Sequence, residues 1–98
     1  MKKYLKEKGA KYFMPVPTGY SENAVDFLVC FKGHFVAIET KIHPRKPTAL
    51  QIDFLVQVHK SGGSVVVAYD MEEVYLALAC IDDGSTWTSD CLKSWIEE

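Results

Sequence analysis

Two carboxylates and a lysine flank two neighbouring apolar segments of the chain. Asp26 comes directly before FLVCF, while Glu39 and Lys41 lie at the end of HFVAIETK. A two-residue turn at Lys32-Gly33, between the segments, would place Asp26 directly opposite Glu39. Opposed side chains in antiparallel strands have Cβ atoms about 4.5–5.5 Å apart, so these carboxylates would repel each other. Either one of them keeps its proton or a divalent cation lies between them.

These residue types suit metal-assisted hydrolysis of a phosphodiester. Hard cations such as Mg²⁺ choose carboxylate oxygens. Lys41 lies two residues beyond Glu39, so it projects from the same face of the strand and can stabilise charge on a phosphate under attack. The alternative is a surface Glu39–Lys41 pair with Asp26 as a residue that starts a strand. That alternative does not explain why both acids flank strands that are apolar on both faces, a pattern typical of a sheet covered on both sides.

The glutamine at position 51 is a further candidate. Gln51 shares one face of a predicted helix with Phe54, Leu55 and Val58, so it would face the sheet in the first helical turn. From there it could reach the carboxylates or a DNA phosphate. The spacing Thr48-x-x-Gln51 also fits a capping box, in which the glutamine folds back on the helix start. The pattern alone leaves both interpretations open.

The elements that must position these residues follow from turn and helix signals. Apolar runs, glycines and prolines predict the order α-β-β-β-α-β-α-α. Thr48 can cap the central helix and Gly62 can end it, while Asp70 can cap the next helix. With 98 residues, 48% of them hydrophobic and 24% charged, the chain is expected to be a single domain over residues 1–98.

The composition excludes several classes of protein. The apolar stretches are far shorter than a membrane span, and the N-terminus lacks the apolar core of a signal peptide. Cys30, Cys80 and Cys91 form no CxxC pair, which indicates free thiols in a reducing compartment. The three histidines do not lie at zinc-ligand spacings with them, so zinc is not expected.

Charge is distributed unevenly along the chain. Residues 1–46 carry nine Lys and Arg against four acids, a balance of +5, whereas residues 47–98 have a balance of −7. Arg45 and Lys46, in the loop HPRKP, would position a DNA backbone without reading bases. The basic half could bind a polyanion such as DNA. Chance partition of solvated charges explains the same asymmetry equally well.

The arrangement of these motifs resembles the VRR-NUC family of the PD-(D/E)XK nuclease superfamily. The resemblance covers about Lys11 to Ala68. It rests on the upstream aspartate, the ETK element, the downstream helix glutamine, the glycine pair before the next strand, and the TGY loop of Thr18, Gly19 and Tyr20. Two departures stand out. Val25 replaces the usual proline before the aspartate, and Glu7 is the only candidate for the first-helix acid that often completes the site in this family.

The resemblance implies an α/β, restriction-endonuclease-like fold with a mixed central sheet flanked by helices. It implies an endonuclease that uses Mg²⁺ or Mn²⁺ as cofactor and acts, as a homodimer, on branched DNA such as Holliday junctions. The expected location is the cytoplasm of a bacterium or of a phage-infected host, and no association with a membrane is expected. The alternatives are a nuclease for flaps or unbranched DNA, and a catalytically silent DNA-binding or partner-binding module. The implied roles are metal ligands at Asp26, Glu39 and the Thr40 carbonyl, catalysis also by Lys41 and Gln51, and DNA contacts at Thr18, Gly19, Tyr20, Arg45 and Lys46.

Overall fold

The computed structural model describes residues 1–15 and 25–96. The helices and strands follow in the predicted order: α1 (Lys2–Glu7), β1 (Lys11–Phe13), β2 (Phe27–Phe31), β3 (His34–Thr40), α2 (Ala49–Lys60), β4 (Ser64–Ala68), α3 (Met71–Asp82) and α4 (Asp90–Ile96). The strands form one sheet in the order β1-β2-β3-β4. The first two pairings are antiparallel and β3–β4 is parallel, which confirms the prediction of a mixed central sheet flanked by helices.

A tight hairpin sets the register of the two strands that lead to the acidic residues. Lys32 and Gly33 have φ of 55° and 76°, the positive values that a mirror-image two-residue turn requires. The pairing runs from Phe31 with His34 to Phe27 with Ile38, as the sequence predicts. Asp26 directly precedes the last of these pairs, so the chain brings it to the end of β3 that carries Glu39.

The parallel pair β3–β4 brings two loops to the same edge of the sheet. Glu39 pairs with Val67 and Thr40 with Ala68, so the segments that follow both strands leave the sheet side by side. Helix α2 makes the connection between the strands. It is capped by Thr48 and ends before Gly62, whose φ is 97°.

Each face of the sheet has its own apolar cluster. One face, which we call the α1/α3 face, packs Leu5 of α1 and four residues of α3 against alternate strand residues such as Val29 and Ile38. The opposite α2/α4 face packs a second group of buried residues: Val25, Ala37, Leu55, Val58, Val65, Val67 and Leu92. Glu39 alternates with Ile38, so it points to the α2/α4 face.

Coverage of the α2/α4 face is incomplete, contrary to the expectation that both faces of β2 would be covered. Leu28 is half-buried, Cys30 and Phe35 are exposed, and Phe13 is 63% exposed. All five residues of β4, in contrast, are buried. The apolar partners from α2 and α4 pack mainly around β3 and β4, and Leu28 is packed against their cluster. Among residues 1–15 and 25–96, the half of this face formed by β1, β2 and Phe35 at the start of β3 is therefore only partly covered; we call it the open half.

A short segment before α4 lies along the outer edge of β4. Val65 N–H donates to the Trp87 carbonyl, and Ser89 N–H donates to the Val65 carbonyl. The Val67 N–H donates to Ser89 Oγ at 2.8 Å, and the Ser89 hydroxyl donates to Glu73 of α3. This segment, residues 87–89, therefore closes that edge with backbone and side-chain hydrogen bonds.

In the two described ranges the longest helices have 12 residues, and none of the helices there could cross a membrane.

Candidate active site

The predicted acidic residues meet at the end of β3 on the α2/α4 face. Glu39 is the last but one residue of β3 and is 1% exposed. Asp26 lies in a bend directly before β2 and is half-buried. The antiparallel register and the tight hairpin bring the two carboxyl groups into contact, although they are far apart in sequence.

Thr40 fixes the orientation of Asp26. Its backbone N–H and its hydroxyl both donate to Asp26 Oδ2, at 2.8 and 2.5 Å. Two donors on one carboxylate oxygen favour the ionised form of that carboxylate. The family resemblance implies the Thr40 carbonyl as a metal ligand, but neither the resemblance nor the residue pattern revealed these two hydrogen bonds to Asp26.

Glu39 is a buried carboxyl group, and one of its oxygens accepts no hydrogen bond from the described residues. Within the described residues Oε2 has no hydrogen-bond partner, and Lys41 Nζ lies 3.8 Å from it. Burial, followed by the neighbouring Asp26, raises the pKa of Glu39 from 4.5 to about 8. At neutral pH this side chain therefore carries a proton when no cation is bound.

The pKa of Asp26 moves in the opposite direction. Burial raises it, but hydrogen bonds from Thr40 and Glu39 and the charge of Lys41 together outweigh burial, and the pKa falls below the ordinary value. The pair therefore holds one proton, on Glu39, and one negative charge, on Asp26. Two interacting carboxyl groups commonly relieve their repulsion in this way.

The donor set fits a hard divalent cation. Two carboxylates face each other, and one oxygen of the buried member lacks a hydrogen bond, as expected of an atom that accepts a metal. A third acid is not part of the arrangement: residues 1–15 and 25–96 contain no group of three or more His, Cys, Asp or Glu side chains placed to hold a metal. Glu7 ends α1, which packs on the opposite face of the sheet through Leu5.

Gln51 takes the position of a capping residue. The Gln51 Oε1 accepts from the Thr48 backbone N–H at 2.9 Å, and the Gln51 backbone N–H donates to Thr48 Oγ1 at 3.2 Å. The capping box is therefore formed. The described hydrogen bonds do not connect Gln51 with Asp26 or Glu39, and its role in catalysis stays a prediction.

The basic loop that follows β3 is held by an aromatic residue that follows β4. The Tyr69 hydroxyl donates to the Arg45 carbonyl at 2.7 Å. The His43 ring stacks on Tyr69 with centroids 4.1 Å apart and an angle of 15° between the rings. Arg45 and Lys46 are exposed in this loop, and their role at a phosphate backbone stays a prediction. Thr18, Gly19 and Tyr20 lie outside the described residues.

The sequence contained a usable signal for Tyr69. Because β3 and β4 are parallel neighbours, the residues just beyond each strand meet at one edge, which brings Tyr69 to the loop after Lys41. The stacking of His43 depends on ring orientations and could not be read from spacing.

A scan of protein-family models finds none that matches this chain, and no curated protein is significantly similar to it.

Proposed function

We propose that the protein is a metal-dependent DNA endonuclease of the VRR-NUC type, which hydrolyses phosphodiester bonds in branched DNA such as Holliday junctions. The observation that carries this proposal is the buried Glu39 carboxyl in contact with Asp26, with Lys41 Nζ 3.8 Å from Glu39 Oε2. A buried acidic pair in which one pKa is strongly raised is typical of a functional site, because such perturbed pKa values cluster there.

Each residue has a distinct task in the proposed reaction. Asp26 and Glu39 would hold Mg²⁺ or Mn²⁺, with the Thr40 carbonyl as a further ligand. The bound cation would polarise the phosphoryl group and lower the pKa of the attacking water. Thr40 keeps the Asp26 carboxylate ionised and oriented. Lys41, whose side chain is 17% exposed, would stabilise the negative charge that grows on the phosphate oxygens.

The alternative of a catalytically silent DNA-binding or partner-binding module has one observation in its favour. A third acid is missing from the site in residues 1–15 and 25–96, and such an acid commonly completes a metal centre of this type. A nuclease that cuts flaps or unbranched DNA differs from the main proposal in substrate only. Both alternatives are separated from it by the experiment below.

The proposal includes a dimer and a reducing compartment. One active site cuts one strand, so symmetric cleavage of a four-way junction requires two sites related by a two-fold axis. We therefore propose a homodimer.

The cysteines Cys30, Cys80 and Cys91 are all free, which supports a reducing compartment such as the cytoplasm of a bacterium or an infected host.

The decisive experiment measures cleavage of labelled junctions, flaps and duplexes with Mn²⁺ or Mg²⁺. We expect the wild-type protein to cut junctions most efficiently. Lys41→Ala should lower the rate about 10²–10³-fold, because it removes a group that stabilises the transition state. Glu39→Gln keeps the shape of the side chain but weakens its interaction with a cation, so cleavage should fall at least as far.

Lys2→Ala is the matched control, because Lys2 is an exposed lysine on α1, which packs on the opposite face of the sheet. It should cleave at the wild-type rate. A wild-type protein that cuts none of the substrates with either metal would favour the silent module. Equal activity of Lys41→Ala and the wild type would overturn the assigned site.

A further inference from the structure

The loop between β3 and α2 forms a pocket directly beside Lys41. Its volume is about 490 Å³, within the range of pockets that hold small molecules. The lining residues are Thr40, Lys41, Ile42, His43, Pro44 and Arg45. This lining includes two cations and no acid, so its charge favours an anionic ligand. The pocket opens next to the ammonium group assigned to the scissile phosphate.

The pocket also contains an apolar surface that the fold does not use. Ile42 is 80% exposed, more than any other large apolar residue in the described ranges. It lies between Lys41 and His43 and belongs to neither apolar cluster of the sheet. An apolar side chain among cations matches a ligand that carries both a negative charge and an apolar ring.

The loop holds Ile42 in a fixed position. The Arg45 N–H donates to the Ile42 carbonyl at 2.9 Å and closes a turn. The Tyr69 hydroxyl anchors the Arg45 carbonyl, and the ring of Tyr69 stacks on His43. Ile42 is therefore displayed on a turn that is braced from β4. A backbone held in this way loses little conformational freedom when the loop contacts a ligand.

We propose that this pocket binds an unpaired nucleotide next to the scissile phosphate. Ile42 contacts the face of the unstacked base, while Lys41 and Arg45 contact the flanking phosphates. In a continuous duplex each base face is covered by its neighbours, whereas at a branch point or bulge a base can leave the stack. Proteins that kink DNA commonly insert apolar side chains between partly unstacked bases, so such a contact between an aliphatic side chain and a base has precedent. The inference rests on the proposed nuclease function and adds the feature of the substrate that is recognised.

The test compares two DNA duplexes that differ by one base. Each has a single extra nucleotide in one strand, which is thymidine in the first and an abasic analogue in the second, so both keep the same phosphates and the same distortion. Binding is measured with Ca²⁺ and cleavage with Mg²⁺. We expect the wild-type protein to bind and cut the thymidine substrate about tenfold better, the order expected when an exposed isoleucine is partly buried against a base.

Ile42→Ser should reduce that preference to less than about twofold. The matched control is Leu76→Ser, which changes another exposed aliphatic residue, on α3 and outside the pocket, and should keep the full preference. Circular dichroism verifies that both variants are folded. If the wild type cuts both substrates equally, the inference is wrong and the nuclease proposal stands. If it neither binds nor cuts DNA, both are overturned.

Discussion

The single proton held by Asp26 and Glu39 makes the stability of the protein depend on pH. The pKa of Glu39 is raised to about 8 in the folded state, above the ordinary value of 4.5. Between these values the unfolded chain has lost a proton that the folded protein keeps. Raising the pH through this window therefore lowers the free energy of unfolding, by at most about 1.4 kcal/mol per pH unit. Asp26, with a lowered pKa, acts in the opposite sense and only in more acidic solution.

Glu39→Gln should remove this pH dependence. The amide has the shape of the protonated acid and cannot ionise, so the variant should be more stable than the wild type at pH 8 without added metal. Urea unfolding at pH 5, 6.5 and 8 measures the effect. Glu7→Gln, at an exposed glutamate on α1, should keep the wild-type slope. Parallel slopes for the wild type and Glu39→Gln would contradict the assigned proton.

The sequence could predict the acidic pair but only part of its surroundings. The contact between Asp26 and Glu39 follows from a two-residue turn and from the alternation of side chains along each strand. Repulsion between the two carboxylates already implied a shared proton or a bound cation. The two hydrogen bonds from Thr40 depend on the bend at Asp26 and on the rotamer of the threonine, which spacing does not determine. The pocket at Ile42 depends likewise on how Tyr69 packs against the loop.

The start of α2 combines a structural and a proposed chemical role in one residue. Gln51 uses its side-chain Oε1 and its backbone N–H in the capping box with Thr48. Its Nε2 donor group is not used by the box. A residue that caps a helix through its oxygen can thus still offer the amide nitrogen to a DNA phosphate. The two functions are separable by substitution because they use different atoms.

Gln51→Glu should affect the cleavage rate and not stability, whereas Thr48→Ala should affect stability and not the cleavage rate. The glutamate keeps the capping oxygen, so stability should stay within about 0.5 kcal/mol of the wild type, while loss of the Nε2 donors should slow junction cleavage about tenfold. Thr48→Ala should lower the free energy of unfolding by about 0.5–2 kcal/mol and leave the cleavage rate of the folded protein unchanged. Unfolding curves and cleavage rates on the same preparations measure both. Full activity of Gln51→Glu would assign Gln51 to the cap alone.

Element order was predictable here because the turn signals are strong and local. The Lys32-Gly33 hairpin, the Thr48 cap and the Asp70 cap all occur where the sequence places them. Coverage of β2 was not predictable from its apolar pattern. Whether α2 and α4 extend over that strand depends on their packing against β3 and β4, which involves residues distant in sequence.

The open half of the α2/α4 face is the surface we assign to the proposed dimer. Phe13 pairs with Leu28 across β1 and β2, and Phe35 pairs with Cys30 across β2 and β3, so these side chains form one partly exposed apolar area. The area is continuous with β1, the edge strand of the sheet. A second copy of the chain would cover the same residues on both partners, as a two-fold interface requires.

Phe13→Glu should convert a dimer into a monomer. The residue is exposed, so the substitution should have little effect on folding, while two charges facing each other across a two-fold axis would repel. Light scattering during size-exclusion chromatography measures the mass against that of the 98-residue chain. Trp95→Glu, at an exposed aromatic residue of α4, should leave the mass of the dimer unchanged. A monomeric wild type, or a Phe13→Glu variant that stays dimeric, would contradict the assigned surface.

The segment 87–89 has a consequence for how copies of the chain can join. It occupies the outer edge of β4 through Val65 and Val67, so that edge has few backbone groups left for a foreign strand. Within residues 1–15 and 25–96, the edge at which a further strand could add is therefore β1, at the other end of the sheet. Two molecules that meet through β1 use up this edge in each other and leave none for a third. Growth by strand pairing would then stop at two copies, and a dimer formed in this way would not extend into linear polymers.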